Sequence, residues 1–296
     1  MTSFRISAQQ PASEEVRRVA QDRLERAIEA IGKGTPKGVH DARKRLKEVR
    51  ALLRLVRKPL GKRAFAACNG RFRDTARELS TLRDATAIVE CWEALAEREP
   101  ARFASLPFKR IEGRLLARVE AEPAEPRDHQ ALIEGLRGAA DAVGDWPLRS
   151  EGFSLFRAGL LRTYQDGRRA MKAAQQNPSD ELLHDWRKRV KDHWYQTRLL
   201  REAWPRLFKA RQKSLETLAD CLGDDHDLAM LQLLMKEQAE LFGAQVTFDE
   251  LAAVVAQRRA ELQSRAWREG HLLYAEKPDA LVSLWGNYWR VARKER

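Results

Sequence analysis

The stretch HDARKRLKEVR (40–50) reappears as HDWRKRVKDHW (184–194), 144 residues later. A chain that writes one amphipathic helix twice must bury that helix's apolar back twice. Over 40–58 against 184–202, nine of nineteen positions are identical: His40/His184, Asp41/Asp185, Arg43/Arg187, Lys44/Lys188, Arg45/Arg189, Lys47/Lys191, Arg54/Arg198, Leu55/Leu199 and Arg57/Arg201. A weaker match follows at an offset of 143. ELSTLRDATAIV (78–89) aligns with CLGDDHDLAMLQ (221–232), pairing Leu79 with Leu222, Arg83 with His226 and Asp84 with Asp227. Two matches at nearly one offset point to an internal duplication. The period is too long for a solenoid built from repeats of about 20–50 residues.

The long segments carry a helical period of about 3.6 residues, and alternating β-branched runs are missing. The expected fold is all-α, with two pseudo-symmetric halves resembling four-helix bundles, 1–145 and 146–296. Helices are expected at 13–31, from Thr35-Pro36 to Pro59, and at 62–80, 83–99, 103–121 and 128–143. The segment DWPLRSEG (145–152) reads as the junction. The pattern then restarts at 153–176, and Asn177-Pro178 reads as a second cap-then-proline start like Thr35-Pro36. Helices at 206–221, 227–242, 247–270 and 278–294 complete the expectation.

On a helical wheel, Ala42, Leu46, Val49, Leu53 and Val56 fall on one face of the first copy. His40, Arg43, Lys44, Lys47, Ala51 and Arg54 fall on the other. In the second copy the polar face reads His184, Arg187, Lys188, Lys191, Tyr195 and Arg198. The apolar face reads Trp186, Val190, Thr197, Leu200 and Trp204, with His193 among them as a core histidine. Like charges three and four residues apart cost about 0.2–0.5 kcal/mol per pair, so the cationic face is not there for stability. From His40 to Arg54 it runs about 21 Å, a rail for an extended anion rather than a pocket for one phosphate. Each phosphate contact is a charge-assisted hydrogen bond. The leading histidines read as donors when protonated or anchors when neutral. Asp41 and Asp185 are expected to pair with Arg45 and Arg189.

Composition supports an anionic partner. Lys and Arg number 55 against 43 Asp and Glu, a formal net charge of +12. The N-terminal segment lacks an apolar stretch of signal-peptide type, and no apolar run is long enough to span a bilayer. Three widely spaced cysteines (Cys68, Cys91, Cys221) suit a reducing compartment. The expected location is therefore the cytoplasm, with no membrane contact and no cofactor or metal.

Other chemistries leave weaker traces. His-Asp doublets at 40–41, 184–185 and 226–227, with Asp224 and Asp225, suggest an HD-type metal phosphohydrolase, whose ligands must converge from several helices. The first-half counterpart of DDHD is TLRD, which places Arg83 where a ligand would stand. DDHD otherwise reads as an acidic helix N-terminus. GKGTPKG lacks the order of a P-loop and reads as a helix connection. Trp186, Trp204, Trp285 and Trp289 read as core. Non-specific nucleic-acid binding stays open, because the charge suits it and no base-reading module is present.

The H-x-x-R-K-x-x-K helix in both halves, the preceding LLRTYQDGRRAMKAA and the segment LGDDHD together resemble the CHAD family, the conserved histidine α-helical domain. The resemblance spans about residues 13–292. It implies two four-helix bundles related by pseudo-two-fold symmetry, which bind inorganic polyphosphate along a basic groove or pore without catalysing a reaction. Residue by residue, it carries over polyphosphate binding to His40, Arg43, Lys44, Lys47, Arg50, Arg54 and Arg83 in the first half. In the second half it carries over to His184, Arg187, Lys188, Lys191, Arg198 and His226. Ser80 and Thr86 depart from the family's second motif, Trp194 stands where the first half has Arg50, and His226 stands where arginine is commoner. The two rails are thus expected to contribute unequally. Location on polyphosphate granules, and contact with other granule or polyphosphate-metabolism proteins, are further implications. Some members carry a triphosphatase domain; here no such motif occurs, and the chain reads as a stand-alone binding domain.

Overall fold

In the computed structural model the described residues are 4–79, 84–121 and 129–294, and they form an all-helical fold with no strand among them. The first half contains α1 (Ala12–Gly32), α2 (Pro36–Leu55), α3 (Arg57–Leu60), α4 (Lys62–Glu78), α5 (Asp84–Arg98), α6 (Pro100–Phe103), α7 (Leu106–Glu120) and α8 (Gln130–Asp141). The second contains α9 (Ser154–Gln176), α10 (Asp180–Leu199), α11 (Pro205–Glu237), α12 (Gln245–Leu273) and α13 (Pro278–Lys294). No helix among the described residues is long and apolar enough to cross a membrane.

The two motif helices start alike. The Thr35 hydroxyl accepts from Gly38 N–H at the head of α2, and the Ser179 hydroxyl accepts from Leu182 N–H at the head of α10. Each satisfies an N–H that the first turn cannot pair internally. The second cap is thus Ser179, two residues beyond the expected Asn177. Ser179 is Thr35's partner at the 144-residue offset.

α9 to α12 pack in sequence as a bundle, with α13 against α9. At its centre the Trp186 ring of α10 stacks on Trp267 of α12, centroids 4.8 Å apart. Gly270 lets α12 approach: a Cβ there would lie 2.6 Å from the Trp186 ring and 2.9 Å from the Met171 sulfur. In the first half, α1 packs between α2 and α8 as α9 packs between α10 and α13. The later first-half helices reach across. α5 lies against α11, and α7 against the single turn Ala239–Phe242. One apolar cluster therefore runs through both sides of the 145–152 junction.

Three expected elements differ. The expected segments 206–221 and 227–242 merge into one continuous helix, α11, which passes straight through LGDDHD and ends at Glu237, before the separate turn Ala239–Phe242; DDHD is mid-helix and caps nothing. The stretch 103–121 divides at Ser105, with Pro107 in the first turn of α7. The helix opening at Thr35-Pro36 also breaks, at Val56, before the short turn of α3.

Candidate functional site

The site is built where α2 and α10 lie side by side. Ala42, Leu46, Val49, Leu53 and Val56 are fully buried, as the period requires, and so are Trp186, Val190 and His193. His193 stacks on Trp285 at 5.7 Å, and its burial holds it well below the ordinary histidine pKa. Trp285 and Trp289 are core residues, whereas Trp204 is 46% exposed and rests edge-on against Tyr288.

At the heads of both helices the cations face solvent. His40, Lys44 and Lys47 are exposed on α2, as is Lys188 on α10. Arg43, His184, Arg187 and Lys191 are half-buried. The two rows approach each other. Burial lowers the Lys191 pKa; Asp220 and Glu216 of α11 act against it, and Arg187 of its own helix and then Lys44 of α2 add to it. The Lys191 ammonium also sits over the Trp194 ring at 5.6 Å.

Deeper along the same helices the arrangement changes. Glu48 is fully buried, and Asp192 is nearly so. Ala51 and Tyr195, placed on the polar faces, are buried too. The acids bind arginines of the opposite helix reciprocally: Arg54 to Asp192 at 3.0 Å, and Arg198 to Glu48 at 3.1 Å. Glu48 also takes Arg45 at 2.9 Å and Arg23 of α1 at 3.3 Å, while Asp192 takes Arg189 at 3.3 Å. Arg45 and Arg189 thus reach forward three residues to the buried acids instead of back to Asp41 and Asp185. Asp185 instead holds Lys188 at 2.8 Å.

Arg50 donates to the Asn69 side chain of α4 at 3.2 Å. Burial and the neighbouring Arg54 push its pKa down to about 10. Phe4 is buried against this ion-pair floor, its ring centroid 5.3 Å from the Arg198 guanidinium and 5.9 Å from that of Arg23. Ile6 N–H donates to Leu199 O at 2.9 Å, which ties the N-terminal segment to α10.

The histidine at the head of α10 has a partner on α11. The His184 and His226 rings lie 4.2 Å apart, tilted by 31°. His184 Nδ1 is buried without a hydrogen-bond partner. Burial, then His226 and the flanking Lys188 and Arg187, push the His184 pKa down to about 4. Burial followed by Arg187 lowers that of His226. Both rings are therefore neutral near pH 7. Arg187 itself lies flat over Gly223 of α11, where a Cβ would stand 2.9 Å from its guanidinium nitrogen. The glycine of LGDDHD is there because an arginine crosses the helix at that point. Arg83, the first-half counterpart of His226, lies outside the described residues.

One acid of LGDDHD serves packing. Asp225 is buried and accepts from Arg259 Nε and Gln263 Nε2 of α12, each at 2.9 Å. Among the described residues no three His, Cys, Asp or Glu side chains gather as a metal site.

Sequence reasoning found the exposed row and the histidines. It missed Glu48, Asp192, Arg23, Arg45, Arg189 and Asn69 as parts of the same assembly. The available signal was that Glu48 and Asp192, like Arg45 and Arg189, occupy equivalent positions in the repeat.

A family model described as the CHAD domain matches residues 11–236. Among solved structures, the crystal structure of the CHAD domain from the plant Ricinus communis superposes with a TM-score of 0.60 at 18% identity. The superposition covers 94% of this chain and 96% of that one. At that identity the likeness is one of fold. No curated protein matches.

Proposed function

The chain belongs to the CHAD domain family, and from that membership and the geometry of α2 and α10 we propose that it binds inorganic polyphosphate without catalysing its turnover. The observation that carries the reading is the packing of α2 against α10, cross-tied by Arg54–Asp192 and Arg198–Glu48, which sets the exposed Lys44 and Lys47 of one helix beside the helix that carries Lys188 and Lys191. One phosphate would not need cations on two antecedent rows; a repeating anion contacts them in succession. Cations so close repel, and a polyanion relieves that repulsion.

The buried acids refine which residues do what. Glu48 and Asp192 orient Arg54 and Arg198 from below, so these two arginines position the floor. The direct phosphate ligands are then His40, Arg43, Lys44, Lys47, Arg187, Lys188 and Lys191, with Arg50 at the end of the row and the His184–His226 pair beside Arg187; Arg83 stays in the reading through the family motif alone. Cytoplasmic location and attachment to polyphosphate granules belong to the same proposal.

Nucleic acid would meet the same charges. Competition at one fixed salt concentration separates the two: labelled long-chain polyphosphate is displaced by unlabelled polyphosphate, single-stranded DNA or duplex DNA. The expected order is polyphosphate far ahead of both nucleic acids. Equal displacement at equal phosphate concentration would make the protein a general polyanion binder.

A further inference from the structure

We propose that the outer face of α13 is a docking surface for a second copy of this chain, paired about a two-fold axis. Leu284, Tyr288 and Val291 recur four and three residues apart and so form one stripe. Leu284 is 44% exposed and Val291 55%, and Tyr288 carries the exposed Trp204 edge-on at 4.8 Å. Leu207, three residues beyond Trp204, is 39% exposed. The solvent side of a helix ordinarily carries charge. Here residues 280–289 hold none, and the exposed positions among them are Ala280, Ser283, Leu284 and Asn287. Depletion of charge around an aromatic and aliphatic centre is the composition of an interface core.

The charges at the two ends of the stripe select the occupant. The head of α13 is net acidic, with Glu276, Lys277 and Asp279, and its tail is wholly basic, with Arg290, Arg293 and Lys294. A membrane surface is acidic throughout and would repel the head. A second copy laid antiparallel sets acid against base at both ends, the reciprocal arrangement of an isologous contact. With the axis level with residue 286, Leu284 meets the partner's Tyr288, Ala280 the partner's Val291, and Asp279 the partner's Lys294. Asp279 and Lys294 are exposed, and neither forms an ion pair among the described residues. A stable dimer buries about 600–1,000 Å² on each partner, so the contact takes in Trp204 and Leu207 beside the stripe as well as α13.

The surface shares no residue with the rail. The C-terminal end of α10, which leads toward Trp204, lies about 22 Å along that helix from His184. Pairing through α13 therefore leaves the rail of each copy open. The net charge of +12 opposes association, but salt screens its repulsion beyond about 8 Å at physiological ionic strength.

The test is sedimentation velocity of the full chain across micromolar concentrations at physiological salt. The wild type is expected to pass from monomer to dimer as concentration rises. Leu284→Asp/Val291→Asp, at two positions exposed in the single chain, is expected to stay monomeric with an unchanged thermal midpoint. Asp279→Lys is expected to weaken the dimer by about tenfold, through two lost rim pairs, and adding Lys294→Glu to restore it. These two positions stand about 22 Å apart along one helix and cannot meet within a copy, so the rescue reads the antiparallel contact alone. A wild type that remains monomeric would overturn the proposal, and sedimentation with phosphatidylserine vesicles would then show whether lipid covers the stripe instead. A dimer indifferent to Leu284→Asp/Val291→Asp, or one that Lys294→Glu fails to restore, would overturn it as well. No arm contains polyphosphate, so the outcome is independent of binding at α2 and α10.

Discussion

Glu48 is one carboxylate among three guanidiniums, Arg23, Arg45 and Arg198, and it is fully buried. Removing one partner from a buried ion pair costs about 3–5 kcal/mol, because the charges left behind are neither solvated nor paired. Glu48→Gln is therefore expected to lower the denaturant midpoint sharply, whereas Lys44→Ala, on the exposed rail, leaves it within error. Gly223→Ala separates packing from binding. The new methyl meets only the end of the Arg187 side chain, which can swing away, so the fold survives. Polyphosphate affinity should fall by about tenfold, the worth of one displaced charge-assisted contact. Isothermal titration of the two proteins reads this directly.

The histidine pair fixes a pH dependence. The His184 pKa lies at about 4 in the fold against 6.5 ordinarily, so between those values the unfolded chain binds more protons than the native one. His184 therefore contributes stability that is fully present above pH 6.5 and is lost as pH falls toward 4. Bound polyphosphate favours the protonated ring, so binding takes up protons in that same window. Affinity should rise as pH falls from 6.5 toward 4.5, and His184→Gln/His226→Gln should flatten that rise. A wild-type affinity unchanged over this range would remove the histidines from the site.

At the scale of elements, α2 and α10 exchange arginines across their contact. Arg54 reaches Asp192, and Arg198 reaches Glu48. A double-mutant cycle on Arg54→Ala and Asp192→Ala should give a coupling of about 0.5–3 kcal/mol. A coupling within error of zero would make the pair incidental. The helices themselves were legible in the sequence because local features specify them: the apolar backs of α2 and α10 follow the helical period, and Thr35 reads as a cap. What was not legible depends on distant partners. Arg54 and Arg198 look like further rail positions until Asp192 and Glu48 arrive from the other half of the chain. LGDDHD looks like a helix boundary because glycine and consecutive acids usually mark one. Here Gly223 makes room for Arg187 and Asp225 anchors Arg259 of α12, so tertiary packing carries the helix through. The matched family model ends at residue 236, close to the end of α11, yet α12 supplies Trp267 and Arg259 to the bundle that holds α10 in place.

For the whole molecule, the excess of cations is spread unevenly: buried acids neutralise the centre and leave the heads of α2 and α10 exposed. Affinity for a polyanion should fall steeply with salt as each neutralised phosphate releases condensed counterions. The rail account rests on exposed residues, which makes it separable from folding. Charge reversal of Lys44, Lys47 and Lys188 together leaves every buried ion pair of the floor intact. The decisive measurement is polyphosphate binding by Lys44→Glu/Lys47→Glu/Lys188→Glu, alongside its thermal unfolding. The account predicts an unfolding midpoint close to wild type and no measurable binding of long-chain polyphosphate. A folded triple variant that binds polyphosphate as tightly as the wild type would contradict it.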